Sequence, residues 1–492
     1  MFESAEIGHR LEKGQYKREE PALRQSLLEA QYELLRAAHI PVVVLVAGAD
    51  GAGKGETVNL FNQWMDPRHI HAHAFGQPTE EEAERPPMWR FWQALPPKGR
   101  IGILFGSWYT QPILDRVMHG SKRAEFEREL ERIRRLETML AAEGTVLVKL
   151  WFHLSRSAQR DRLKKLSSDK RTAWRVTSVE RKRFKHFDEF RETSEEALRM
   201  TSTGVAPWQV IDGSDDEYRA LTAGNLLLDA LRCRPAGSAA PPTVSQTAVA
   251  KPPIDGRDLL NTLDYTATLP RKKYSKKLES LQGRLALLMR SKKMRRRSLI
   301  VVFEGMDAAG KGSAIRRVTQ ALDARSYHVI PIAAPTDEER AQPYLWRFWR
   351  HIPRHDAAVI FDRSWYGRVL VERVEGFAAE PDWMRAYSEI NDFESQLAES
   401  GTVLLKFWLA ITPEEQLRRF KEREEIPFKR FKITQEDWRN RDKWPEYERA
   451  VCDMIEQTST DVAPWDLIAA NDKLHARVEV LRRICERIEA AP

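Results

Sequence analysis

No apolar run in these 492 residues approaches the ~20 that a membrane span needs. The opening "MFESAEIGHR" is acidic and polar, without the apolar stretch of a secretory leader, so no such leader is expected. Cysteine is scarce. Cys233, Cys452 and Cys485 are odd in number and lack metal-ligand spacing, which argues against a disulfide framework and suits reduced thiols in a cytoplasmic protein. A strong charge of one sign is also missing: 80 basic residues stand against 72 acidic, a formal +8. That excess gives a weak preference for polyanions and points to no specific nucleic acid. Large side chains are not lacking, with 15 tryptophans and a hydrophobic fraction of 42%, so packed domains are expected rather than disorder. The length exceeds what one core usually serves, and two domains are expected.

Self-similarity settles the organisation. "GADGAGKG" begins at Gly48 and "GMDAAGKG" at Gly305, a separation of 257 (305 − 48). The same offset relates "WRFW" at Trp89 and Trp346, "SWY" at Ser107 and Ser364, "GTVLVKLW" at Gly144 and "GTVLLKFW" at Gly401, and "TSTGVAPW" at Thr201 and "TSTDVAPW" at Thr458. A gap-free repeat from about residue 41 to 211 means two copies of one domain. The expected division is a first domain over 1–233, a Pro/Ala-rich extended linker over 234–255 and a second domain over 256–492. Within each copy β-branched runs such as "IPVVVLVAG" and "SLIVVFEG" alternate with long charged helical segments. Strands buried on both faces between helices predict a three-layer α/β domain with a parallel sheet.

Each Gly-rich turn fits the phosphate-loop pattern, glycine, four residues, glycine and lysine, between a predicted strand and helix. Backbone N–H groups there can close around phosphate oxygens, the helix N-terminus adds a partial positive charge, and lysine adds a full one. In the second copy the loop comprises Gly305, Asp307, Ala308, Ala309, Gly310, Lys311 and Gly312. The first copy retains Asp50, Gly53 and Lys54. The Ser or Thr that usually follows the lysine and helps hold Mg²⁺ is Gly55 or Gly312, so another oxygen must serve. Candidates are the loop aspartate (Asp50, Asp307) and Asp362, which ends the apolar run "AAVIF" where a metal-coordinating acid belongs in phosphate-loop enzymes.

Taken together, "GMDAAGKG", "APTDEE", "YLWRFWRHIP", "FDRSWYGRVLVERVEG", "PFKRFKIT" and "TSTDVAPW" resemble the polyphosphate kinase 2 family, over about residues 270–485 and more loosely 15–230. The tandem form resembles the subgroup that phosphorylates nucleoside monophosphates, chiefly AMP to ADP, with inorganic polyphosphate as donor. The resemblance implies two P-loop kinase-like α/β/α domains with helical lids. It implies catalytic roles for Asp307, Lys311, Asp362 and Arg363, and Mg²⁺, with Mn²⁺ as a substitute, on Asp307 and Asp362. The segment from about Lys421 to Asp442 matches the family's lid, whose Lys429, Arg430 and Lys432 would meet phosphates together with Arg368. The expected partners are polyphosphate and AMP or ADP, with no membrane and no specific nucleic acid. The tandem copies are expected to form an internal pseudo-dimer, with further self-association open. Two other readings remain open on sequence: an ATP-dependent nucleoside monophosphate kinase, and a non-catalytic protein binding nucleotides or polyanions.

One copy is stripped of charge. "VIFDRSWYGR" (359–368) answers "ILFGSWYTQP" (103–112) up to a shift of register in the quotation: Asp362, Arg363 and Arg368 align with Phe105, Gly106 and Gln111. In the lid, Arg418, Arg423, Lys429, Arg430 and Trp438 align with Asp161, Leu166, Thr172, Ala173 and Arg181. The first copy is therefore expected to keep its fold and to have lost catalysis. Three weaker signals are discounted. His69, His71 and His73 alternate on a strand, but only His328 persists in the second copy. "SKKMRRRS" at 291–298 reads as a solvated junction. The "WRFW" aromatics read as packing residues, with Arg90 and Arg347 left as candidates to reach a cleft.

Overall fold

The computed structural model describes residues 1–232 and 259–491. The linker 234–255 and Cys233 lie outside the described residues, as do the side chains of Lys429 and Lys432. The chain divides into two compact units. Among the described residues one comprises Met1–Pro78, 90–232 and Pro335–Arg347, the other Thr79–Trp89, 259–334 and 348–491.

Each unit is built on a five-stranded parallel sheet. In the first, β1 (Val42–Gly48), β2 (Ile70–Ala74), β3 (Ile101–Phe105), β4 (Val146–His153) and β5 (Trp208–Asp212) lie in the order β2-β3-β1-β4-β5. In the second, β6 (Ser298–Gly305), β7 (Tyr327–Pro331), β8 (Ala358–Asp362), β9 (Thr402–Ala410) and β10 (Trp465–Ala469) lie in the equivalent order, β7-β8-β6-β9-β10. All the strand pairings are parallel. The central strands are valine- and isoleucine-rich and fully buried, as strands covered on both faces must be. In the first unit, helices Gln15–Ala37 and Asp216–Arg232 cover one face through Leu23, Leu27 and Leu227, and Arg123–Ala142 buries Phe126, Leu130 and Ile133. The expected three-layer α/β architecture is what forms.

The strand order changes direction at β1 and at β6, so the crevice beyond the carboxyl ends of these strands is where ligands of such sheets bind. Both phosphate loops start there. Gly48 and Gly305 are fixed by packing: a Cβ would lie 2.0 Å from the Phe152 carbonyl oxygen in one case and 2.5 Å from that of Leu409 in the other. Their retention in both copies therefore says more about the sheet than about phosphate.

The shared Ser-Trp-Tyr element has a similar explanation. In the second unit, Trp365 Nε1 and Tyr366 OH donate to Glu394 Oε1 at 2.9 and 2.6 Å, and Lys406 Nζ reaches Glu394 Oε2 at 2.7 Å and the Thr458 carbonyl at 2.7 Å. In the first, Trp108, Tyr109, Glu137, Lys149 and Thr201 repeat the network at 2.7 to 3.0 Å. These charges are fully buried and mutually satisfied, and each ties a strand to a helix. The motif persists in the charge-stripped copy because it holds the domain together.

Candidate active site

In the second unit β6 runs into the loop, and helix Lys311–Thr319 leaves it. Lys311 Nζ donates to the carbonyls of Gly305 at 2.6 Å and Met306 at 3.4 Å, which curls the side chain over the loop. Burial, and next the nearby Arg363, push its ammonium below the usual lysine range, while Asp307, Asp362 and Glu304 pull the other way. Asp307 is held from both sides. Arg363 Nη2 donates to Oδ1 at 3.1 Å and Asn440 Nδ2 to Oδ2 at 2.9 Å, while Gln416 Nε2 donates to its carbonyl at 3.1 Å. Arg419 Nη1 donates to the Ala308 and Ala309 carbonyls at 2.8 and 3.0 Å, riveting the loop from below.

Asp362 ends β8, beside Phe303 in the strand register and therefore one residue short of Glu304. Glu304 is buried, with Ser364 Oγ donating to its Oε1 at 2.8 Å. Burial pushes its carboxyl up, and Asp362 adds to this, against Lys311, Ser364 and Arg363. Three carboxylates thus surround two cations at one strand end. Arg363 occupies the left-handed backbone region at φ +66°, and Ala308 in the loop does so at +64°. Such conformations disfavour any side chain and gather at functional sites. In the first copy the aligned residues are glycines, Gly106 and Gly51, at φ +73° and +81°. The second copy bears at Arg363 a strain that the first has shed.

Other expected residues have partners of their own. Arg368 Nε faces Glu372 at 2.9 Å. Arg430, exposed, donates to the Glu424 carbonyl at 2.7 Å. Arg347 is buried against Glu339 at 3.2 Å. Among the described residues no group of three His, Cys, Asp or Glu side chains is gathered to hold a metal, the alternating histidines included. Asp307 and Asp362 fit a hard cation of the magnesium type, which takes one or two carboxylates and completes its shell with water and substrate phosphates.

The residues that sequence reasoning missed are Glu304, Gln416, Arg419 and Asn440. Glu304 had left a signal, a lone acid in the buried run "SLIVVFEG". Asn440 lies 133 positions from Asp307, on helix Gln435–Asp442 of the lid segment, and had left none. Of these four the first copy keeps two, as Gln159 and Arg162, and differs at the other two, at the acid that ends β8 and at the arginine after it. Ala47, Phe105, Gly106 and Arg183 stand where the second has Glu304, Asp362, Arg363 and Asn440.

The polyphosphate kinase 2 family model matches this chain twice, over residues 10–236 and 268–492. A polyphosphate:AMP phosphotransferase of Pseudomonas aeruginosa is 54% identical over 491 residues, covering 100% of this chain and 99% of its own. A polyphosphate:AMP phosphotransferase of Acinetobacter johnsonii is 40% identical and covers 96% of each chain. A crystal structure assigned as polyphosphate kinase 2 of P. aeruginosa superposes with a TM-score of 0.90 at 53% identity, over 100% of this chain and 99% of that one.

Proposed function

This chain belongs to the polyphosphate kinase 2 family, and on that premise we propose that its second domain transfers the terminal phosphoryl group of inorganic polyphosphate to AMP. The products are ADP and a polyphosphate shortened by one unit. One bond forms, between an oxygen of the AMP phosphate and the terminal phosphorus, and one phosphoanhydride bond breaks. The observation that carries the reading is Arg363, held in a strained backbone conformation and ion-paired to the loop aspartate Asp307 beside Lys311.

Phosphoryl transfer asks mainly for alignment and for positive charge around the migrating group. Lys311 and Arg363 supply fixed cations, and the loop N–H groups with the helix N-terminus cradle phosphate oxygens. Asn440 and Gln416 hold Asp307 in place. The acceptor phosphate has a second pKa of about 6 and is ionised at neutral pH, so no strong general base is required. Asp307 and Asp362 would hold Mg²⁺, or Mn²⁺ in its place. Bound there, the ion supplies neutralising charge for the phosphate oxygens, which the three carboxylates would otherwise repel. Arg368, Arg430, Lys429 and Lys432 belong to the same reading as phosphate contacts on the lid side. The reading places the enzyme in the cytoplasm, in keeping with Cys452 and Cys485, neither of which forms a disulfide. Among the described residues no helix is long and apolar enough to cross a membrane.

Incubating the protein with AMP, Mg²⁺ and either polyphosphate or ATP, and following ADP by chromatography, tests the proposal. Much faster ADP formation with polyphosphate is expected. Equal or faster reaction with ATP would make the chain an ordinary nucleoside monophosphate kinase, and no reaction with either would leave a binding protein.

A further inference from the structure

The first copy keeps the form of the loop. Lys54 Nζ donates to the carbonyls of Gly48 and Ala49 at 2.5 and 3.0 Å, and Gln159 Nε2 holds the Asp50 carbonyl at 2.9 Å, as Gln416 does for Asp307. What differs is the charge. Around Lys311, three carboxylates face two cations, and a polyphosphate can approach them only with a divalent cation between. Around Lys54, Ala47 and Phe105 replace two of those acids. Arg183, at the position of Asn440, comes within 3.6 Å of Asp50. The other nearby acid, Glu56, is already paired to Arg175 at 3.0 Å. Behind the loop Arg219, at the position of Ala476, packs its buried guanidinium against Gly53, bonded to Asp216 at 2.8 Å and to the Gly213 carbonyl at 3.4 Å. Among the described residues its Nε has no hydrogen-bond partner.

A cavity of about 720 Å³ in this unit is lined by Ser155, Arg156, Ser157, Arg160 and Phe184. Its walls are chain neighbours of Gln159, which donates to the Asp50 carbonyl, and of Arg183, which with Lys54 faces the Asp50 carboxylate. Arg156 and Arg160 pair with the exposed Asp188 and Asp161 at 2.6 and 3.5 Å. Where this wall carries Arg156, Ser157 and Arg160, the second copy has Pro413, Glu414 and Leu417. Two serines and two arginines, beside the single aromatic Phe184, offer hydroxyl donors and positive charge to a chain of phosphates.

We propose that the first domain is a metal-independent binding site for inorganic polyphosphate, built on the loop Gly48–Lys54 with Arg183, and extended by the cavity at the start of helix Arg156–Ser168. It rests on the function proposed above only for the identity of the anion. The site retains polymer on the enzyme while the second domain consumes chain ends.

The test uses the full chain. Long-chain polyphosphate is titrated by calorimetry in excess EDTA, against wild type, Lys54→Ala, Arg183→Asn and Lys311→Ala, with a thermal melt of each to show that it folds. Wild type is expected to bind without metal. Lys54→Ala and Arg183→Asn should each weaken that binding about tenfold and flatten its salt dependence, as lost cation–phosphate contacts do. Lys311→Ala should keep it. In turnover assays with Mg²⁺, the first two variants should raise KM for polyphosphate rather than lower kcat. Metal-free binding that is absent from wild type, or indifferent to Lys54 and Arg183, overturns the proposal. ATP binding more tightly than polyphosphate in EDTA overturns the choice of ligand. Failure of wild type to form ADP from AMP would instead refute the proposed activity and leave the metal-free titration to stand by itself.

Discussion

Replacing Arg363 by glycine should remove the chemistry of the second domain while leaving its stability nearly unchanged. At φ +66° an L side chain costs about 1–2 kcal/mol relative to glycine, which the substitution recovers. Glycine's greater freedom in the unfolded chain takes back about 0.5–1 kcal/mol. The ion pair to Asp307, with the guanidinium about half exposed, contributes ~0–1 kcal/mol at most. These terms nearly cancel, and the melting temperature should move by no more than about 4 °C for a domain of this size. Removing a fixed cation from the migrating phosphoryl group should lower kcat on the order of 10²–10³-fold, about 2.7–4 kcal/mol of barrier, by analogy with deleting a transition-state donor. Arg363→Ala is the control. It loses the same charge but keeps the strained backbone, so it should be equally inactive and melt about 2 °C or more below the glycine variant. Steady-state ADP formation and differential scanning fluorimetry on the three proteins give both quantities. Near-normal kcat in Arg363→Gly would refute the placing of Arg363 at the phosphoryl group. An alanine variant as stable as the glycine variant would refute the strain argument.

Asp362→Asn should fold normally, since the near-isosteric amide sits at a strand end, yet lose on the order of 10²-fold or more in turnover. Retained activity over a Mg²⁺ titration would mean that the metal is held elsewhere. Chelation by EDTA should stop ADP formation reversibly and leave the melting curve unchanged, because no trio of ligands among the described residues depends on metal for its shape; a large drop in melting temperature would contradict this. Lys149→Ala strands the fully buried Glu137 and should destabilise the first domain by about 3–5 kcal/mol, seen as an earlier melting transition. An unshifted melt would show that the network conserved between the copies is not what holds the sheet to its helix.

The sequence by itself determined the two-copy plan, because an offset of 257 that survives gap-free leaves no other organisation. It also determined the parallel α/β class, from strands apolar throughout, and the local parts of the site: the loop Gly305–Lys311 and the acid at the end of β8. These are short-range features, written in consecutive residues. Which of them converge was decided by tertiary structure. Asn440 and Gln416 reach Asp307 from helices 133 and 109 positions away, and Arg419 reaches the loop carbonyls from 111. No periodicity encodes such approaches, since they depend on how helices Pro413–Glu425 and Gln435–Asp442 meet the loop that follows the central strand β6. Glu304 reads in sequence as one more strand residue, and only the pairing of β6 with β8, which sets Phe303 against Asp362, brings it near that acid and under Ser364. The left-handed turn at Arg363 is invisible in a string of letters until Gly106 is set beside it. The Trp and Tyr of the Ser-Trp-Tyr element, which closely follow Asp362 and Arg363, belong to a buried network common to both copies. Short motifs report what the backbone must do locally, whereas the distances that turn a phosphate loop into a catalytic site are set by elements a hundred residues apart.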